Sequence, residues 1–350
     1  QVYDITGREL DIGLLGLAEF LPAALLVLVT GSVADRFNRK IIGSIAIAGE
    51  LLCSVLLGLY ALSDPTAVWP LFVIAVLFGT FRAFAAPSVR SLPPMVAPDG
   101  ALPRTIALYS ATWTSAAIIG PASGGLIYAS SPALAYFVSA VLIGAGVAFL
   151  LAVKIARPFL KDQPKDPAEK VSLHTALAGL RFIRKTPILL AAISLDLFAV
   201  LFGGAVALLP AIAEDRLHVG DVAYGWLRAA PGIGAAIMAV ILASRPVTRR
   251  VGRTLLFVVG LFGIATVVLG VTTSYFVAFV ALVILAGADM ISVYIRGTLV
   301  PLVTPDDKRG RVMAVENVFI GASNELGAFE SGVAAQAFGT QTAVIGGGIA

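Results

Sequence analysis

The chain has 350 residues, 58% of them apolar and only 13% charged, with 25 Lys and Arg against 21 Asp and Glu. Soluble domains carry roughly 25% charged residues, so this complement is too small to cover a water-exposed surface, and it argues against a soluble enzyme. The apolar residues come in long runs, the pattern of a polytopic membrane protein. The net charge of +4 then speaks through its placement and not as a nucleic-acid footprint. The single cysteine, Cys53, allows no intramolecular disulfide.

A spanning helix needs about 20 predominantly apolar residues. Ten segments meet that length, at 12–34, 41–63, 68–88, 105–129, 132–153, 187–212, 222–244, 254–273, 275–297 and 311–337, and an eleventh, 340–350, stops short. Twenty of the 25 basic residues fall in one set of alternate loops, against Arg8 and Arg216 in the other. Because cytoplasmic loops collect Lys and Arg, the first set is cytoplasmic and the first segment starts outside. A chain that begins outside at Gln1 and ends within a half-length span is expected to lack a first helix and part of the last. The expected parent has two six-helix halves.

The stretch 154–186 reads as a cytoplasmic linker between an N-terminal bundle, 1–153, and a C-terminal bundle, 187–350. Its Pro164 and Pro167 punctuate a polar run. After them Leu173, Ala176, Leu177, Leu180 and Ile183 fall at helical spacing behind a candidate N-cap, Ser172. That pattern predicts an amphipathic helix on the inner leaflet; a solvated connector helix is the alternative.

An internal repeat organises the rest. Residues 91–99 match 298–306 at a shift of 207, with Leu92/Leu299, Pro94/Pro301, Val96/Val303, Pro98/Pro305 and Asp99/Asp306 identical, and the shift goes on to pair Arg104 with Arg311, Gly120 with Gly327 and Gly125 with Gly332. Both copies lie at cytoplasmic loops, so the halves have the same orientation, as in parallel repeats about an axis along the membrane normal.

Between the first two segments stands Gly31-Ser32-Val33-Ala34-Asp35-Arg36-Phe37-Asn38-Arg39-Lys40. Asn38 is expected to supply a left-handed backbone to this short turn, and Asp35 to cap or ion-pair with a neighbouring helix. The decapeptide resembles the G-x-x-x-D-R-x-G-R-K loop of the major facilitator superfamily, with Asn38 in place of the second glycine. The resemblance implies that Gly31, Asp35, Arg36, Arg39 and Lys40 form a conformational latch. The corresponding loop of the second half has Arg249 in place of Asp35. Arg82 matches the family's buried fourth-helix arginine, and Gly120-Pro121-Ala122-Ser123-Gly124-Gly125 resembles the G-P-x-x-G-G motif associated with proton-driven export. In that motif Pro121 favours a kink, while Gly120, Gly124 and Gly125 let a neighbouring backbone come close. The run from Gln1 to Asp35, with Arg82-Ala83-Phe84 and Pro87, is most similar to the enterobactin-exporter-like, transmembrane secretion effector branch. The resemblance implies an all-α integral membrane protein with the major facilitator fold, two parallel pseudo-repeated bundles, acting as a monomer in the cytoplasmic membrane.

Charges at bilayer depth cost about 3 kcal/mol each on insertion scales and are default functional candidates. Inside the spans lie Glu19, Glu50, Asp196, Asp289, Glu316 and Glu325 against Arg82 and Arg228, with Arg296 and Glu330 near span ends. At 1.5 Å per residue, Glu50 and Arg82 both sit about 12–14 Å from the inner face, so an ion pair between them is feasible. Arg228 lies about 20 Å from that face, near Glu325 and Glu19. The acidic surplus suggests protons or a cationic substrate group as ligands, since desolvation disfavours an unpaired carboxylate's charge. Phe78, Phe81, Phe84, Trp113 and Phe319 offer aromatic surface to a cavity or to lipid.

His174 and His218 lie outside the spans with no metal-ligand spacing around them, and no G-x-x-x-x-G-K-[ST] is present. The expectation is therefore a secondary transporter without cofactor or metal, moving a small molecule and protons across the bilayer, with export of siderophore-like or drug-like amphiphiles favoured. Uptake by symport, a non-transporting sensor or scaffold, and an inactive fragment are the competing readings.

Overall fold

The structure, a computed structural model, describes residues 1–36, 38–90, 92–98, 100–153, 180–247 and 249–350, without the side chains at 27–29, 31–36, 94, 103, 301, 306, 307, 309–311, 314, 317 and 318. The described residues form helices and connecting loops with no strand. In chain order these are α1 (Val2–Thr6), α2 (Glu9–Arg36), α3 (Arg39–Ala61), α4 (Trp69–Arg90), α5 (Pro93–Val96), α6 (Leu102–Tyr128), α7 (Pro132–Ala152), α8 (Pro187–Phe202), α9 (Asp221–Ser244), α10 (Val251–Val271), α11 (Tyr275–Val303), α12 (Asp306–Phe338) and α13 (Thr340–Ile349). Between α8 and α9 the backbone tightens to a 3₁₀ turn at Gly204–Leu208 and loosens to a π turn at Ile212–Arg216.

Seven helical stretches among the described residues are long and apolar enough to cross a bilayer. Helices α6 and α12 fall outside that set by composition, α2 carries the apolar run that starts at Ile12, and at 28, 27 and 33 residues α2, α6 and α12 each have the length to span at 1.5 Å per residue. Helix is the expected answer in a bilayer core, where each backbone N–H and C=O must be satisfied within its own segment. Large apolar side chains stay exposed along the helices, among them Leu25, Val141, Phe149, Val240 and Phe257, as lipid-facing residues do.

Local chemistry sets the ends. Pro132 and Pro187 stand at the first positions of α7 and α8, where a missing N–H costs nothing. Gly339, at φ +84°, breaks α12 from α13 with a backbone that disfavours any side chain. Asn38 departs from expectation: its backbone is extended, at φ −67° and ψ 111°, and its side chain accepts a hydrogen bond from the Lys40 N–H as the N-cap of α3. An Asn cap satisfies a free donor of the first turn, so α3 is entered from extended backbone without a left-handed residue at Asn38.

By contacts the chain divides into two compact units, one of residues 1–6, 17–116 and 126–171, the other of 7–16, 117–125 and 172–350. Within the first, α3 packs against α4 and α7; within the second, α10 packs against α11 and α13. These are the same pairings under the shift of 207, so the sequence repeat extends to packing. The repeat diverges at its best-matched motif. Pro93-Pro94 follows the end of α4 and opens the separate turn α5, whereas Val300-Pro301 keeps one N–H more and α11 runs on to Val303.

Cys53 is buried in α3 at 1% exposure. Among the described residues the second unit has three apolar clusters, two of them flanking α8 and α11: Ile183, Leu189, Ile193, Val300, Val312 and Val315 in one, Ala192, Leu255, Val258, Ala288 and Ile295 in the other. The amphipathic segment expected at 172–185 lies outside the described residues up to 179; residues 180–185 are helical, with Ile183 in the first of these clusters.

Candidate functional site

Two charged constellations form at membrane depth, one in each unit. In the first, Arg82 of α4 donates from Nη1 to Glu19 Oε1 at 2.5 Å. The pair joins Arg82 to Glu19, and not to Glu50 as depth arithmetic suggests. The reason is the close approach of α2 to α4 at Gly79, where a Cβ would collide with the Glu19 carbonyl. Arg82, one helical turn further along, reaches back to the Glu19 carboxylate. Phe81 packs its ring against Gly49, which leaves the adjacent Glu50 close enough to interact electrostatically with both partners. The side chains of Arg82 and Glu19 are 59% and 37% exposed.

The second constellation is buried. Arg296 of α11, 3% exposed, pairs its Nη2 with Asp196 Oδ1 of α8 at 2.8 Å and its Nη1 with Glu316 Oε1 of α12 at 3.6 Å. Ser292, one turn away on α11, donates its hydroxyl to the same Asp196 oxygen at 3.2 Å. Asp289, a further turn along and half-buried, lines a small, partly open pocket with Asp196, Ser292 and, from α10, Val258, Val259 and Phe262. Asp289, Ser292 and Arg296 stand at i, i+3 and i+7, one face of a helix, and that spacing is the sequence signal for this site. The apolar run ends near Arg296, which puts it at a span edge by composition, while the helix continues past it to Val303.

Of the remaining candidates, Arg228 of α9 is exposed, with one long contact from Nη1 to the Val206 carbonyl at 3.5 Å. A Cβ on Gly16 would lie 3.6 Å from Glu325 Oε2, which places that carboxylate beside α2. Phe81 and Phe319 pack into protein, against Gly49 and the Ile183 cluster, whereas Trp113 is exposed.

The Gly-Pro motif separates into two roles. Within the second unit a Cβ on Gly125 would stand 2.5 Å from the Asp221 carbonyl oxygen and 2.6 Å from Gly225 Cα, and one on Gly225 would stand 2.6 Å from the Pro121 carbonyl oxygen. Pro121 has no N–H for the Ala117 carbonyl, and that oxygen lies 3.2 Å from where Gly232 would carry a Cβ. Freed and neighbouring carbonyls thus meet glycine Cα–H groups across the seam. Gly120 and Gly124 face open space, and α6 continues through Pro121.

The segment read as a loop from Gly31 is helical as far as Arg36, at the end of α2, and the side chains of Val33, Asp35 and Arg36 lie outside the described residues. Lys40 ties its ammonium to the Leu151 and Val153 carbonyls at 2.7 and 2.8 Å, closing the end of α7. No group of three or more His, Cys, Asp or Glu among the described residues is arranged to hold a metal ion.

A helical, multi-pass membrane protein with an internal parallel repeat and charges held at bilayer depth is a transporter by architecture. Residues 2–328 match the Major Facilitator Superfamily, and the chain belongs to that family. It is 28% identical to the uncharacterized MFS-type transporter YfiS of Bacillus subtilis, over 98% of this chain and 82% of that protein. It is 27% identical to the multidrug efflux pump Tap of Mycolicibacterium fortuitum, over 95% and 82%, and 27% identical to the enterobactin exporter EntS of Shigella boydii, over 82% and 67%. Among solved structures it resembles a bacterial homologue of the lysosomal transporter Spinster, inward-facing and unoccupied, with a TM-score of 0.75 at 18% identity over 96% of this chain and 77% of that one. A bacterial ferroportin homologue is also similar, with a TM-score of 0.69 at 14% identity, over 99% and 90%.

Proposed function

We propose that the protein is a proton-coupled exporter of small amphiphilic molecules, siderophore-like or drug-like, working by alternating access as a monomer in the cytoplasmic membrane. The observation that carries this reading is the exposed Arg82–Glu19 pair with Glu50 beside it. Charges at bilayer depth that are neither buried in protein nor at a span end belong on a water-filled path. Arg82 serves there as an anion-facing group and Glu19 and Glu50 as cation-facing ones, so the path accommodates a substrate with both polar and apolar parts. Efflux and export in the names of Tap and EntS support the outward direction, as does the likeness of the Gly120–Gly125 motif to that of proton-driven exporters. The segment from Gly31 to Lys40, where α2 meets α3, acts as the latch, and the bundles at 1–153 and 187–350 are the moving halves.

The test uses inverted membrane vesicles with ethidium as the probe. Acidifying the lumen drives ethidium inward in vesicles carrying the protein, and collapsing the gradient with an ionophore stops it. Accumulation unchanged by the ionophore rules out proton coupling, and accumulation equal to that of protein-free vesicles rules out export of this class of molecule.

A further inference from the structure

The buried cluster of the second unit holds more negative charge than its base can match. Buried Asp196 and Glu316 pair with a single guanidinium, that of Arg296, and half-buried Asp289 stands two helical turns from it on α11. The groups facing Asp289 can be named element by element. Asp196 comes from α8 and Arg296 from its own helix, α10 presents only Val258, Val259 and Phe262, and α9 packs Gly234 and Met238 against Gly287, two residues away on the other face of α11. Glu316 of α12 lies beyond Arg296. Asp196 has both the guanidinium and the Ser292 hydroxyl as partners, whereas Asp289 makes no hydrogen bond or ion pair among the described residues.

Two further features point to a ligand. The cavity walled by Asp196, Asp289 and Ser292 has about 10 Å³ of room, that of one water molecule, and offers it three polar partners, which is what a buried water requires. Arg296 Nε is buried without a partner although the guanidinium's other nitrogens are engaged. A donor left over in so closed a site calls for an explanation, and a guanidinium that exchanges partners as charge arrives or leaves supplies one.

We infer that Asp289 is a proton-binding site inside the second unit, with the Asp196–Ser292 cavity water as its donor and acceptor and Arg296 as the counter-charge shared with Asp196 and Glu316. The chemistry is one O–H bond. Hydronium or the cavity water gives its proton to the Asp289 carboxylate, leaving water or hydroxide, and the carboxylic acid later returns the proton to water, with no other bond changed. Protonation removes one negative charge from the cluster, so that Arg296 is balanced more nearly by Asp196 and Glu316. A sodium ion fits less well, because the space suits one water and a guanidinium stands beside it. This inference rests on the proposed proton coupling and locates it away from the exposed Glu19–Arg82 pair.

Infrared difference spectroscopy of the purified full chain, between acid and alkaline buffer, tests the site without any substrate. The wild type is expected to show a protonated-carboxyl C=O band that rises with acidification, Asp289→Asn to lose it, Asp289→Glu to retain it at a shifted position, and Glu50→Gln to leave it in place. In proteoliposomes, Asp289→Asn is expected to lower gradient-driven ethidium accumulation by about tenfold or more, within the range of coupling between sites, while ethidium counterflow without a gradient persists and Asp289→Glu partly restores the driven flux. A band that survives Asp289→Asn, or that answers to sodium in place of pH, overturns the assignment. So does driven accumulation that is unaffected in Asp289→Asn. If the band behaves as expected but wild-type ethidium flux ignores the gradient, the proton site stands and the proposed coupling falls. Surviving counterflow and a monodisperse elution profile show that the variant is folded.

Discussion

Arg296→Met removes the one base of the buried cluster and keeps its bulk. In the wild type, Arg296, Asp196 and Glu316 are 3%, 5% and 9% exposed, and the guanidinium touches both carboxylates at 2.8 and 3.6 Å. Breaking a buried ion pair by deleting one partner costs about 3–5 kcal/mol, because the other charge stays behind without compensation. Here two carboxylates are stranded, with Asp289 nearby, so the loss belongs at the upper end of that range. For a unit of this size, 1 kcal/mol moves the midpoint by about 2–4 °C, and the expected fall is about 10–20 °C. Replacing both paired carboxylates together with the base, as Arg296→Met with Asp196→Asn and Glu316→Gln, leaves half-buried Asp289 as the one acid of the cluster and is expected to recover most of that loss, since neutral replacement of a buried ion-paired set is often tolerated. The assay heats detergent-solubilised protein and measures the monodisperse fraction by size exclusion. A single variant as stable as wild type refutes the pairing. A triple variant no better than the single one refutes the electrostatic account and leaves packing as the cause.

Other outcomes rest on the same geometry. Gly225→Val is expected to destabilise by at least about 1–3 kcal/mol, the usual penalty of overpacking, because its Cβ has backbone 2.6 Å away; Gly120→Ala and Gly124→Ala, which face open space, should raise the melting temperature slightly, by the better helix propensity of Ala. Glu19→Gln is expected to leave the melting temperature nearly unchanged, since exposed pairs contribute about 0–1 kcal/mol, yet to abolish ethidium accumulation in inverted vesicles; retained accumulation counts against a role for the pair. Lys40→Met should speed amide exchange over the last turn of α7, whose Leu151 and Val153 carbonyls it releases.

The membrane class and most helices are legible in the residues because long apolar runs and sorted basic residues are strong, redundant signals. The repeat is legible too, and the shared packing of α3 and α10 agrees with it. Local geometry is not. Depth counted from span ends assigns Arg82 to Glu50, since nothing in that arithmetic contains the approach of α2 to α4 at Gly79. Backbone tolerance singles out Asn38, whereas its side chain is the part that caps α3. Composition leaves Arg296 at a span edge because an apolar run ends sooner than the helix does, and so the most enclosed charge cluster shows in the sequence only piecemeal, through Asp196, Asp289 and Glu316.

The burial of Cys53 has a practical consequence. The chain has one thiol, and it is 1% exposed within α3. Maleimide reagents need an accessible thiolate, so the folded wild-type protein is already close to a cysteine-free background. Cysteines introduced in pairs at helix ends can carry spin labels or fluorophores without first mutating the native residue. Distances between labelled helix ends can therefore be measured on an otherwise unaltered chain, and labelling of Cys53 itself reports any preparation in which α3 has come loose.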